Sequence, residues 1–134
     1  MKKILIIEDD QALYNVYSTE LKLQGYDLSN VSDGMKAVEA VRTTMPDLVL
    51  LDIMLPGKNG LEILQEIKAD GDLANTRIVM LTNYGSDENV RKALDAGAAG
   101  YMLKYNIIPS ELSQKVSEFL GESENSAVNI TSES

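Results

Sequence analysis

The chain contains no cysteine and no histidine among its 134 residues. Without cysteine there can be no disulfide and no thiolate metal site, which agrees with a reducing compartment. Without histidine it lacks the commonest general base, the usual zinc and copper ligand, and any phosphohistidine of its own. Basic residues are also scarce: 12 Lys and Arg face 21 Asp and Glu, a formal net charge of -9. A surface of that sign argues against direct binding of nucleic acid and against adsorption to anionic membrane. Long apolar runs are missing as well. "MKKILII" starts like a signal peptide, but the run ends at Ile7, short of the roughly 7–15 apolar residues such a segment needs. Nothing approaches the ~20 residues of a membrane span. The expectation is a cytoplasmic protein without membrane insertion, whose chemistry rests on carboxylates, hydroxyls, lysines or a bound ion.

What is present suits one domain: 134 residues with 44% hydrophobic content can bury an ordinary core. Short runs of branched residues recur as "ILII" (4–7), "LVLL" (48–51), "IVML" (78–81) and the weaker "YML" (101–103). They are apolar at every position, the pattern of strands covered on both faces of a parallel sheet. A fifth strand, "YDLSNV" (26–31), is placed mainly because one helix ends at Gly25 and another begins near Asp33. Between the runs lie helical stripes: Leu13, Val16, Tyr17 and Leu21; Ile63, Leu64 and Ile67; Val90, Ala93, Leu94 and Gly97; Leu112, Val116, Phe119 and Leu120. "AVEAVR" (37–42) reads as one more helix. Five alternations predict an α/β doubly wound (βα)5, flavodoxin-like parallel sheet with strand order 2-1-3-4-5. The folded domain is expected over 1–120, and the small, polar composition of 121–134 predicts a disordered tail.

Ligands of such sheets bind beyond the carboxyl ends of the strands, where the strand order reverses. Strand 1 ends at Glu8 and Asp9, and strand 3 ends at Asp52. Neighbouring strands lie about 4.8 Å apart, so three carboxylates should crowd one small volume and raise one another's pKa. A divalent cation removes that cost, and oxygen-only donors suit Mg2+ or Mn2+ better than zinc. Strand 4 ends at Thr82 and strand 5 at Lys104. Metal, hydroxyl and ammonium around a carboxylate can hold a phosphoryl group while that carboxylate attacks in line. Asp52 is the candidate nucleophile, being alone on the central strand. Each residue by itself is an ordinary turn or cap residue. The signal lies in four strands ending, in order, with acid pair, acid, hydroxyl and lysine.

At these residues, through "ILIIEDD", "PDLVLLDIMLPGKNGLEIL", "IVMLT" and "ALDAGAAGYMLK", the chain resembles the receiver domain of two-component response regulators, including the stand-alone chemotaxis type. The match spans about residues 2–120. The resemblance implies that Glu8, Asp9 and Asp52 hold Mg2+ together with the backbone carbonyl of Met54. It implies that Asp52 accepts a phosphoryl group from the phosphohistidine of a histidine kinase or phosphotransfer protein. Thr82 and Lys104 would contact the phosphoryl oxygens, and Tyr101 matches the switch aromatic. Asp10 extends the acid pair, with a less direct role. No output domain is expected after residue 121, so the expected partner is a downstream protein docked on the face of helix 4, strand 5 and helix 5. Such a chain is a signalling phosphoacceptor rather than an enzyme, assisting only its own phosphorylation and dephosphorylation.

Two positions depart from the family pattern. Tyr105 follows the lysine where proline in a cis peptide is usual, so a trans bond is expected. Asn83 follows the threonine in place of a small residue. With Tyr84, these are the candidate modulators of the chemistry. Three other readings compete with this one. A haloacid-dehalogenase-type hydrolase wants a second Asp where Met54 stands. A flavin or nucleotide domain needs a Gly- or hydroxyl-rich loop after strand 1, where "EDDQAL" is acidic. A pseudo-receiver would keep the fold and only bind partners.

Overall fold

A computed structural model of the chain describes residues 1–83, 88–105 and 107–122. Its elements run β1 (Lys3–Ile7), α1 (Gln11–Leu23), β2 (Asp27–Val31), a 3-10 turn (Gly34–Lys36), α2 (Ala37–Thr44), β3 (Leu48–Asp52), α3 (Gly60–Ala69), β4 (Ile78–Thr82), α4 (Glu88–Asp95), β5 (Gly100–Leu103) and α5 (Pro109–Phe119). All strand pairs are parallel, in the order β2-β1-β3-β4-β5. This is the predicted doubly wound sheet, including the second strand.

Alternation along the strands divides the core in two. Leu5, Ile7, Val49, Leu51, Ile78 and Met80 pack on one face against Ala37 and Val41 of α2, Ile63, Leu64 and Ile67 of α3, and Val90 and Ala93 of α4. Ile4, Ile6, Leu48, Leu50, Val79, Leu81 and Met102 face Leu13, Tyr17 and Leu21 of α1 and Leu112 and Val116 of α5. Fully burying such side chains contributes about 1.5–3 kcal/mol each, which is why continuous apolar runs belong to the central strands. The edge strand β5 differs from the expectation of two covered faces. In β5, Met102 is buried between exposed Tyr101 and Leu103, and the more polar β2 is exposed at Asp27 and partly buried from Leu28 to Val31. An edge strand has a neighbour on one side only, and helices overlap it less.

Three further details depart from the predicted stripes. Val16 and Leu94 are exposed, and Gly97 lies beyond the end of α4 in a left-handed conformation. A four-residue stripe cannot separate the buried centre of a helix face from its rim. The described chain also continues past the predicted boundary at 120: the Glu122 carboxylate accepts the Tyr26 hydroxyl at 2.8 Å, and its N–H donates to Ser117. The rest of the predicted tail, 123–134, lies outside the described residues. None of the described helices is long and apolar enough to cross a membrane.

Candidate functional site

The strand register assembles the site. Ile7 pairs with Leu51, so Glu8 follows at the level of Asp52, while Thr82 pairs with Leu103 and leaves Lys104 one step beyond. By the alternation, Asp52 shares the α1–α5 side with Leu48 and Leu50. Glu8 and Lys104 continue the same parity past Ile6 and Met102. All three charged groups are buried, Asp52 being 1%, Glu8 0% and Lys104 8% exposed. The Lys104 ammonium donates to Asp52 Oδ2 at 2.9 Å and to Glu8 Oε2 at 3.3 Å. Asp9 is exposed, yet one oxygen from each of Glu8, Asp9 and Asp52 lies within 4.8 Å of the others. Thr82 is buried at the end of β4 and keeps its own polar contacts.

Electrostatics in this cluster are strongly perturbed. Glu8 is pushed up to about 7, first by burial and then by the charge of Asp52, against the Asp10 N–H and Lys104, which lower it. Asp52 is also raised by burial, although hydrogen bonding to Lys104 opposes the shift. Mutual repulsion, the expected cause, therefore ranks below desolvation. Burial alone would lower the Lys104 ammonium, but its hydrogen bond to Asp52 and the charges of Asp52 and Glu8 hold it above the ordinary value. Two like charges 4 Å apart near a protein surface repel by about 4 kcal/mol, so one lysine cannot offset three carboxylates. When all are ionised, two negative charges are left, which one divalent cation balances.

The donor set fits such an ion. Glu8 Oε1 is buried and makes no hydrogen bond among the described residues, although it lies 3.1 Å from the ammonium as an ion pair. A buried carboxylate oxygen left without a hydrogen bond is costly unless a cation completes it. All-oxygen ligands at one end of a parallel sheet are those that Mg2+ prefers.

The loop after Asp52 is held close. Met54 donates its N–H to Asp52 Oδ1 at 3.1 Å, while its side chain stands in solvent, 71% exposed. Gly57 takes the left-handed turn that its place after Pro56 suggests. Gly60 is needed for close approach rather than for a left-handed turn. It opens α3, donates its N–H to Ile53 at 2.8 Å, and a Cβ there would fall on the carbonyl oxygen of Asp52.

The Lys104–Tyr105 peptide is trans, since no described bond is cis. Tyr105 donates its hydroxyl to Asp10 Oδ2 at 2.9 Å, and its ring centroid lies 5.8 Å from the Lys104 ammonium. Tyr101 is on the exposed side of β5, 39% accessible, and Asn83 is exposed beside Thr82. Tyr84 lies outside the described residues. Sequence reasoning missed Tyr17, whose buried hydroxyl donates to the carbonyl of Lys104 at 2.9 Å. It also missed Asn30, whose amide donates to the carbonyls of Ile6 and Glu8. Tyr17 was visible only as part of an apolar stripe, since its partner is 87 residues away.

Residues 4–117 match the family model described as the response regulator receiver domain. The DNA-binding response regulator MtrA of Mycolicibacterium paratuberculosis is 38% identical over 115 residues, covering 86% of this chain and 49% of that protein. The chain thus spans about half the length of such curated relatives. Among solved structures, the BeF3-activated N-terminal receiver domain of Klebsiella pneumoniae RstA is 34% identical with a TM-score of 0.79, covering 88% of this chain and 97% of that one. The receiver domain of the sensor histidine kinase PA1611 from Pseudomonas aeruginosa, solved with magnesium coordinated in its active-site cleft, is 27% identical with a TM-score of 0.80, covering 90% and 98%. A family match over most of the chain, on a sheet of the same order with an acid–lysine cluster at its carboxyl end, makes this chain a member of the response regulator receiver domain family.

Proposed function

We propose that this receiver accepts a phosphoryl group on Asp52 from the phosphohistidine of a histidine kinase or phosphotransfer protein, and that the modification changes its binding to a downstream protein. The observation that carries the reading is the pairing of the Lys104 ammonium with Asp52 Oδ2 at 2.9 Å, both buried inside the carboxylate cluster. Receiver domains interact with histidine kinases or phosphotransfer proteins and bind Mg2+ at an acidic pocket. Here Glu8, Asp9, Asp52 and the carbonyl of Met54 would hold the ion, which supplies charge neutralisation at the phosphoryl oxygens.

The chain's own groups do the rest. The Met54 N–H holds one oxygen of Asp52 and Lys104 the other, so the carboxylate is fixed for in-line attack. One oxygen forms the bond to phosphorus as the phosphorus–nitrogen bond of the donor breaks, and the departing imidazole keeps the electron pair. Lys104 and the Thr82 hydroxyl then face the transferred oxygens. The added charge, about -1.5 to -2 by analogy with other phosphorylated side chains, draws both inward. Tyr101 on β5 relays the movement to the α4–β5–α5 surface, and Asn83 and Tyr84 tune access. The folded unit extends through Glu122, whose carboxylate holds the Tyr26 hydroxyl, and acts as a cytoplasmic signalling module.

The test is intact-protein mass spectrometry after incubation with Mg2+ and a small phosphodonor, wild type beside Asp52→Asn. One phosphoryl group, metal-dependent and absent from the variant, is the expected result. No adduct on the wild type, where a control receiver is labelled, would leave a binding-only pseudo-receiver.

A further inference from the structure

Lys104 carries its charge on a flexible four-carbon stem, and fixing such a side chain costs rotamer entropy. Its backbone is fixed from two sides: its N–H donates to the carbonyl of Thr82 at 2.7 Å, and its carbonyl accepts the Tyr17 hydroxyl. Neither contact aims the ammonium. The neighbouring side chain is placed to do so. Tyr105 has its ring 5.8 Å from the Lys104 nitrogen, and the ring is itself tied down by its hydroxyl on Asp10 Oδ2. Asp10 is anchored in turn. It caps α1 by accepting the Leu13 N–H at 3.1 Å, and its own N–H donates to Glu8 Oε2 at 2.9 Å. Glu8 Oε2 then accepts Lys104. The contacts close a circuit through Tyr105, Asp10, Glu8 and Lys104, fastened to the first turn of α1.

We propose that Tyr105 is a positioning residue that holds the Lys104 ammonium between Asp52 and Glu8, so that the lysine is aimed at the phosphoryl site and at the same time competes with a divalent cation for the carboxylates. The phosphoryl half of this inference rests on the function proposed above; the competition for the cation does not. Its signature is a pair of opposite effects. Releasing the lysine removes a positive charge from the acid cluster, so the cation binds tighter, while phosphorylation slows because the ammonium no longer meets the incoming oxygens in place.

The experiment measures Mn2+ affinity by electron paramagnetic resonance, and the rate of Mg2+-dependent labelling by a small phosphodonor, for wild type, Tyr105→Phe and Tyr105→Leu. Both measurements are repeated in a Lys104→Met background, with thermal melts as the check on folding. Tyr105→Leu is expected to bind Mn2+ tighter and to label more slowly, each by roughly two- to five-fold, the size of an exposed cation–π contact. Tyr105→Phe, which keeps the ring but loses the anchor on Asp10, moves the same way by less. In the Lys104→Met background, the change at Tyr105 leaves Mn2+ affinity where it was. Unchanged Mn2+ affinity in both single variants overturns the proposal. So does an effect that persists without Lys104, since it would then run through the charge of Asp10. If Tyr105→Leu fails to fold, Tyr105→Phe carries the same test. If the wild type takes no phosphoryl group, the phosphoacceptor reading falls, and the Mn2+ cycle still decides the role of Tyr105.

Discussion

Glu8 combines full burial, a lysine partner and one oxygen without a hydrogen bond. Its pKa is pushed up to about 7 from an ordinary 4.5, so between those values the folded chain holds a proton that the unfolded chain has released. Stability of the metal-free protein should therefore fall as pH rises from about 4.5 through about 7. Urea titrations in chelator across that range check it, and Glu8→Gln should flatten the slope. Gly60 is the second residue whose role is local and sharp. A Cβ there would meet Asp52 O and lie within 2.8 Å of Ile53 Cα, both backbone atoms that cannot swing away. Gly60→Ala is expected to cost about 3 kcal/mol, as overpacking of a tight site does. Gly71→Ala, where nothing lies within 4 Å, should leave the melting temperature almost unchanged and so serves as the control.

At the scale of elements, the ends of helices decide how well the strand-end loops are held. Helix α3 opens with a reciprocal capping box: Asn59 Oδ1 accepts the Glu62 N–H at 3.0 Å, and Glu62 Oε1 accepts the Asn59 N–H at 3.3 Å. The box fixes the far end of the loop that carries Met54. Asn59→Ala should destabilise the fold by about 1 kcal/mol, and urea denaturation of the two proteins measures it. The variant should also slow labelling of Asp52, because the Met54 N–H that holds Asp52 Oδ1 sits on the loosened loop. The same logic explains α1. Asp10, the third of three neighbouring acids, is first of all the cap of that helix, and its carboxyl is held below the usual range by the Leu13 N–H and then by Tyr105.

For the whole molecule, the acid cluster is a cost that the fold carries until a cation arrives. Anything that binds the folded state alone stabilises it by mass action. Mg2+ at a hundredfold excess over its Kd should add about 2.7 kcal/mol, a rise in Tm of roughly 10 °C for a domain of this size. Asp52→Asn should reduce that rise sharply, since it removes one of the three carboxylates that share the site. Differential scanning calorimetry with and without the ion measures both.

The sequence by itself determined the alternation of strands and helices, because fully buried parallel strands need branched apolar residues at every position and helices need their 3.6-residue stripe. It also determined which residues terminate the strands. Glu8, Asp9, Asp52, Thr82 and Lys104 were all nameable, since strand ends in such a sheet converge on one crevice. Tertiary structure alone decided how those groups meet. The sharing of one face by Glu8, Asp52 and Lys104, the seat of Tyr17 under the Lys104 carbonyl and the tie from Tyr105 to Asp10 depend on register and helix placement. Those contacts span up to 96 residues between Lys104 and Glu8. Local propensity acts over a few neighbours, so partners that far apart are chosen by the packing of the sheet.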